Sequence, residues 1–119
     1  MTQQELGIFG ENLAVNHLIS KGYSILHRNY KSNRNEIDIV ATQKNQLVII
    51  EVKTRQTAEI GEPWEAVTKA KQKIIVQVAN NYIQKNNLDI DTRFDIISIV
   101  HNSFRTKIEH IEDAFSASS

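Results

Sequence analysis

Asp38 and the triplet Glu51-Val52-Lys53 carry the residue types that phosphodiester cleavage with a divalent cation needs, an acid standing 13 positions ahead of an acid-x-lysine triplet. Two carboxylates can hold a hard cation such as Mg²⁺ or Mn²⁺ through oxygen ligands, and the cation lowers the pKa of a bound water. The Val52 carbonyl offers a third oxygen. Lys53, a compact point charge, can orient that water or offset charge developing on the phosphate. An acid-x-lysine triplet also recurs by chance, most often at a solvated strand end. Placement is what gives this one weight. Leu47-Val48-Ile49-Ile50 leads directly into Glu51, and Glu36-Ile37-Asp38 opens the preceding apolar run. Strands apolar on both faces belong in a sheet interior, where an uncompensated charge costs several kcal/mol.

Further residues can join these. Side chains alternate along a strand, so Glu36 shares a face with Asp38 and Glu51 with Lys53, and pairing of the two strands would bring the four together. Glu11 stands on the shoulder of an apolar helical stripe and can face the sheet or water. Lys71 interrupts the stripe Val67, Ile74, Ile75, Val78, Tyr82. It either snorkels past Val67 to solvent or reaches the sheet edge where the carboxylates lie. Basic residues cluster at Arg28, Lys31 and Arg34, at Lys53 and Arg55, and at Lys69, Lys71 and Lys73. Such clusters are ordinarily solvated surface, but beside acidic metal ligands they could track a nucleic-acid backbone. Trp64 can stack on a base or pack as a hinge residue. His17, His27, His101 and His110 show no ligand spacing and are assigned structural or surface roles.

These residues need a scaffold. Leu6, Phe9, Gly10, Leu13, Ala14, His17 and Leu18 recur at helical spacing, and Gly22 stops the run, predicting a helix over Gln3 to Lys21. Strands are predicted over Tyr23 to Arg28, Glu36 to Thr42 and Leu47 to Thr54, with polar turns at 31–35 and 43–46. A hairpin or meander is the simplest link between the second and third. The one proline, Pro63, suits the first turn of a second helix from about Trp64 to Lys85. Arg93 to Val100 and a weaker Thr106 to Ile111 complete the strands, and 116–119 should fray. The order αβββαββ makes an α/β architecture, a mixed sheet flanked by helices.

A chain of 119 residues, 40% hydrophobic, supports one core, so residues 1–119 read as a single domain. Net charge is zero, so nucleic-acid binding would have to come from a local patch. Cysteine is absent, which removes disulfides and thiolate chemistry. The start Met1-Thr2-Gln3-Gln4-Glu5 lacks a signal-peptide pattern, and no apolar run approaches about 18 residues. A soluble cytoplasmic location with no membrane partner is the expectation.

Gly10-Glu11 with Ala14 and Leu18, Gly22-Tyr23-Ser24-Ile25-Leu26, Arg28-Asn29, Glu36-Ile37-Asp38, Glu51-Val52-Lys53-Thr54-Arg55 and Arg93-Phe94-Asp95 follow one another as in a known set. Over nearly the whole chain they resemble the small bacterial YraN-type family, similar to the PD-(D/E)xK, restriction-endonuclease-like superfamily and to Holliday-junction resolvases. The resemblance implies an αβββαβ core, with Asp38 and Glu51 as metal-binding acids, Lys53 as catalytic lysine, Glu11 as the helix-one acid and Lys71 as the helix-two lysine. It further implies Mg²⁺ or Mn²⁺ as cofactor, DNA as partner, and a homodimer, since resolvase relatives make two scissions. Asn35 stands where the family has glycine, a change asparagine tolerates in a left-handed turn, and Ile37 replaces the superfamily's proline.

Two functions fit. The first is a metal-dependent endonuclease acting on branched or damaged DNA, with Asp38 and Glu51 on the metal, Lys53 at the water, and Glu11 and Glu36 assisting. The second is a nucleic-acid-binding or protein-interaction module that keeps the fold without turnover, in line with zero net charge and 7% aromatic residues. A glycosidase built on paired carboxylates fits less well, for want of an aromatic sugar platform.

Overall fold

The computed structural model describes residues 1–117. Its elements run α1 (Gln3–Ser20), β1 (Ser24–Ser32), β2 (Asn35–Gln43), β3 (Gln46–Arg55), a short 3-10 helix (Pro63–Ala66), α2 (Lys69–Lys85), β4 (Asp91–His101) and β5 (Thr106–Phe115). The five strands form one sheet in the order β1-β2-β3-β4-β5. Every pairing is antiparallel except β3 with β4. A parallel pair needs a long crossover, and the 3-10 helix and α2 supply it. The mixed sheet and its two helices agree with the α/β expectation.

Local chemistry explains the boundaries. Thr2 and Glu5 make a reciprocal capping box that starts α1. Gly22, at φ 88°, ends it, with the Tyr23 N–H reaching back to the Leu18 carbonyl at 3.0 Å. Lys44 and Asn45 both take positive φ, which makes the β2–β3 link a tight two-residue hairpin turn. The expected polar turn over 31–35 is much shorter: Ser32 pairs with Asn35, and only Asn33 and Arg34 lie between. Helix two does not start at Trp64. Pro63–Ala66 forms the separate 3-10 turn, Val67 leaves helical geometry at ψ 79°, and Thr68 caps α2 afresh. β5 extends to Phe115, beyond the predicted Ile111. Of the tail expected to fray, Ser116 and Ala117 border a cavity against α2, while 118 and 119 lie outside the described residues.

The sheet is buried on both faces. Leu47 and Ile49 of β3 pack with Ile75, Val78 and Tyr82 of α2. Val48 and Ile50 pack with Ala14 and Leu18 of α1. This double burial is why β3 reads as an unbroken apolar run. A polar knot forms on β4 where Asp95 pairs with Ile50 of β3. Fully buried Asp95 accepts from Arg93 through two nitrogens at 2.9 Å each, from the Asp113 N–H at 2.9 Å, and bonds His110 Nε2 at 2.8 Å. Burial pushes the Asp95 carboxyl up, but His110, Arg93 and the Asp113 amide together outweigh it and leave it below its ordinary value. Arg93 also donates to the Tyr23 hydroxyl at 2.6 Å, binding the α1–β1 corner to β4.

α1 lies very close to the C-terminal end of β3, since a Cβ at Gly10 would overlap Thr54 Oγ1. Gly10→Ala must shift the helix or Thr54 and is expected to cost about 1–3 kcal/mol in denaturant unfolding. Gly7, with nothing within 4 Å of an added Cβ, is the control: Gly7→Ala is expected to stabilise by about 0.5–1 kcal/mol.

Candidate metal centre

The site forms where β2 and β3 part. Their pairing runs from Gln43↔Gln46 to Ile39↔Ile50 and stops. Two residues past Ile50, the Val52 N–H donates to Asp38 Oδ2 at 2.7 Å, so a carboxylate stands in for a strand contact. Strand alternation slips here too. Ile37 belongs to the α2-side core, whereas Ile39 belongs to the α1-side core. Asp38 therefore sits in a cleft between the faces rather than on either one.

Glu51 continues the Leu47–Ile49 row toward α2. Its Oε1 is buried with no hydrogen-bond partner, singular among the described side chains. Burial first, and then the Asp38 carboxyl beside it, push the Glu51 carboxyl up to about 9, while Lys53 pulls the other way. Lys71 arrives from the first turn of α2. Its ammonium is held below the ordinary lysine value chiefly by Lys53, then by burial, with Glu51 and Asp38 opposing. Those interactions bring Asp38, Glu51, Lys53 and Lys71 into one neighbourhood. Lys71 is exposed, as the snorkelling reading has it, while its charge is close enough to act on Lys53, Glu51 and Asp38.

Glu11 lies to one side of that group. It borders a cavity of 300 Å³ together with Asn29, Asp38, Val52 and Thr54. Asn29 Nδ2 donates to both its oxygens, at 3.1 and 3.2 Å, and Arg28 donates to Oε1 through Nε at 3.2 Å and Nη2 at 3.1 Å. Among the described residues no three acidic or histidine side chains gather as a ligand set. The centre is thus a two-carboxylate site with Glu11 held nearby by its own partners. Glu36 is elsewhere, exposed and 3.9 Å from Lys31 across the β1–β2 pair.

The remaining basic residues spread around the cleft. Arg55 lines a 630 Å³ cavity with Lys53 and Thr54. Lys69 and Lys73 are exposed on α2, and Arg34 is exposed at the β1–β2 turn. Trp64 is 38% exposed, and its N–H is fixed to Ser98 Oγ at 3.1 Å. Asn29, quoted above only within the Arg28-Asn29 pair, was given no role at the site. Its one signal is an asparagine in strand context, and here it takes a left-handed φ of 55° opposite Asp38. Among the described residues no helix is long and apolar enough to cross a membrane.

The site's residues fall within a recognised span, since a family model described as uncharacterised protein family UPF0102 matches residues 10–99. A UPF0102 protein of Flavobacterium psychrophilum is 48% identical over 111 residues, 93% of each chain. One of Christiangramia forsetii is 47% identical over 111 residues, again 93% of each. One of Clostridioides difficile is 43% identical over 116 residues, 97% of this chain and 100% of its own. With similarity this close from end to end, the chain belongs to the UPF0102 family.

Proposed function

We propose that this protein is a divalent-metal-dependent nuclease of PD-(D/E)xK type, cleaving phosphodiester bonds in DNA, with branched or damaged DNA as the substrate class. The observation that carries the reading is Glu51, a buried carboxyl whose Oε1 meets no donor group of another residue and whose neighbour is a second carboxyl, Asp38. Buried polar atoms are seldom left unsatisfied, and an oxygen-seeking cation is the partner this pair fits. Asp38 and Glu51 would hold Mg²⁺ or Mn²⁺, with the Val52 carbonyl as a further oxygen. Once bound, the ion supplies Lewis-acid polarisation of the phosphate and an acidified water.

The chain's own groups have distinct tasks in this reading. Asp38, fixed by the Val52 N–H, cannot swing away from Glu51. Lys53 sets positive charge on the same strand face as Glu51, where it can orient water or steady the phosphate. Lys71, lowered chiefly by Lys53, gives up a proton more readily than an ordinary lysine and would protonate a departing oxygen. Glu11, held by Asn29 and Arg28, offers a carboxylate on the α1 side of Asp38. A binding module without turnover is the rival reading, favoured by the absence of a third converging acid among the described residues.

Purified protein incubated with branched, flapped and linear DNA plus Mg²⁺ or Mn²⁺ should cut at least one of them. Glu51→Ala and Lys53→Ala should each lower the rate on the order of a hundredfold or more. Cleavage that persists in both variants overturns the assignment, and absence of cleavage with intact binding favours the rival.

A pH test follows from Glu51. With its value near 9 the carboxyl is protonated at pH 7 and must lose that proton to a cation. Mn²⁺ affinity is expected to rise about tenfold per pH unit up to about 9, with about one proton released in calorimetry across buffers of different ionisation enthalpy. Because the folded chain holds this proton more tightly than the unfolded one, metal-free stability should be greatest below about 4.5 as regards this group. It should be lost as pH rises through about 9. Glu51→Gln is expected to flatten that decline, read as melting temperature against pH.

A further inference from the structure

Away from the carboxylates, a groove of 320 Å³ runs between the tip of the β1–β2 hairpin and one side of α2. Its walls are made of uncharged amides: Asn33 and Asn35 on the hairpin, and Gln77, Asn80, Asn81 and Gln84 on the helix. The helical four recur at spacings of three and four, so they form a single stripe. All six are exposed. Asn81 accepts from the Tyr30 hydroxyl at 2.5 Å, which locks one amide in place. Within the described chain the side chains of Asn33, Asn35, Gln77, Asn80 and Gln84 make no hydrogen bond, so their donors and acceptors face the groove or water.

Both walls lead to the metal centre. Along β2, Asn35 is three residues from Asp38, about 10 Å of extended strand. Along α2, Gln77 is six residues from Lys71, about 9 Å of helix. A nucleic-acid strand seated at the cleft would therefore cross the groove about three base steps away, at roughly 3.4 Å per step. Neutral amides release no counterions, so they add little to phosphate binding. Each presents a paired donor and acceptor that matches the edge of a base. Those edges are free where a strand is unpaired.

We infer that this amide groove is a binding subsite for unpaired bases about three nucleotides from the bond at the metal centre. The inference rests on the nuclease reading and narrows its substrate to nucleic acid with a single-stranded segment beside the scissile bond. The groove supplies recognition of bases, and the lysines at the cleft supply attraction to phosphate.

The test is fluorescence anisotropy of labelled single-stranded and duplex oligonucleotides, with Ca²⁺ present to hold the site without turnover, over a series of salt concentrations. The triple variant Gln77→Ala, Asn80→Ala, Gln84→Ala places the best helix former at three exposed positions, so folding is retained and circular dichroism verifies it. It is expected to weaken single-strand binding on the order of tenfold while leaving the salt slope and duplex binding unchanged. Lys73→Ala, in contrast, should flatten the slope by about one charge for both probes. Unchanged single-strand affinity in the triple variant overturns the groove and leaves the nuclease reading standing. A loss equal on both probes overturns base recognition. Wild-type protein that binds neither probe overturns the groove and the nuclease reading together.

Discussion

The hydrogen bond from the Val52 amide to Asp38 sets the rest of the molecule in order. An antiparallel pair that stops in a sheet interior leaves backbone groups in need of partners, and a side-chain carboxylate meets one of them here. By doing so it lets β2 and β3 separate without orphaning that amide. Into the opening comes a second carboxyl, Glu51, whose proximity to the first is what makes it hard to ionise. Like-charged carboxyls this close do not both ionise freely. A proton shared between them relieves that repulsion.

Around that cleft the fold acts as a clamp. Gly10 allows α1 to approach Thr54, which carries Glu11 to the cleft's rim. The crossover required by the parallel β3–β4 pair brings α2 back over the sheet with Lys71 in its first turn. Level with Ile50 on the neighbouring strand, the Arg93–Asp95–His110 knot fixes β4 and β5 against the α1–β1 corner. A buried charge with one partner missing is costly, and Asp95 has every partner it needs.

Much of this was legible from residue order. Burial on both faces of β3 follows from Leu47-Val48-Ile49-Ile50, and the shared face of Glu51 and Lys53 follows from alternation. Lys71 stood out because a lysine in a core stripe needs a reason. The convergence of Glu36 with Asp38 did not follow, because alternation assumes a regular strand and β2 slips at Asp38. The start of α2 was missed since helix periodicity cannot reveal Val67 leaving helical geometry, while Thr68, a good cap, was the available clue. Asn29's bond to Glu11 and the His110 and Asp113 contacts of Asp95 join residues 15 or more apart, which no local pattern encodes.

The same departures from ideal strand geometry bear on how copies of this chain meet one another. β1 and β5 are the open edges of the sheet, and an open edge invites edge-to-edge growth. β1 carries a register shift between Ile25 and His27 and the left-handed Asn29, and β5 carries a shift opposite Asp95 with Asp113 at φ 52°. Each irregularity breaks its edge into stretches too short to template another strand along their full length. The residues that hold Glu11 and satisfy Asp95 thereby also guard the sheet against runaway association.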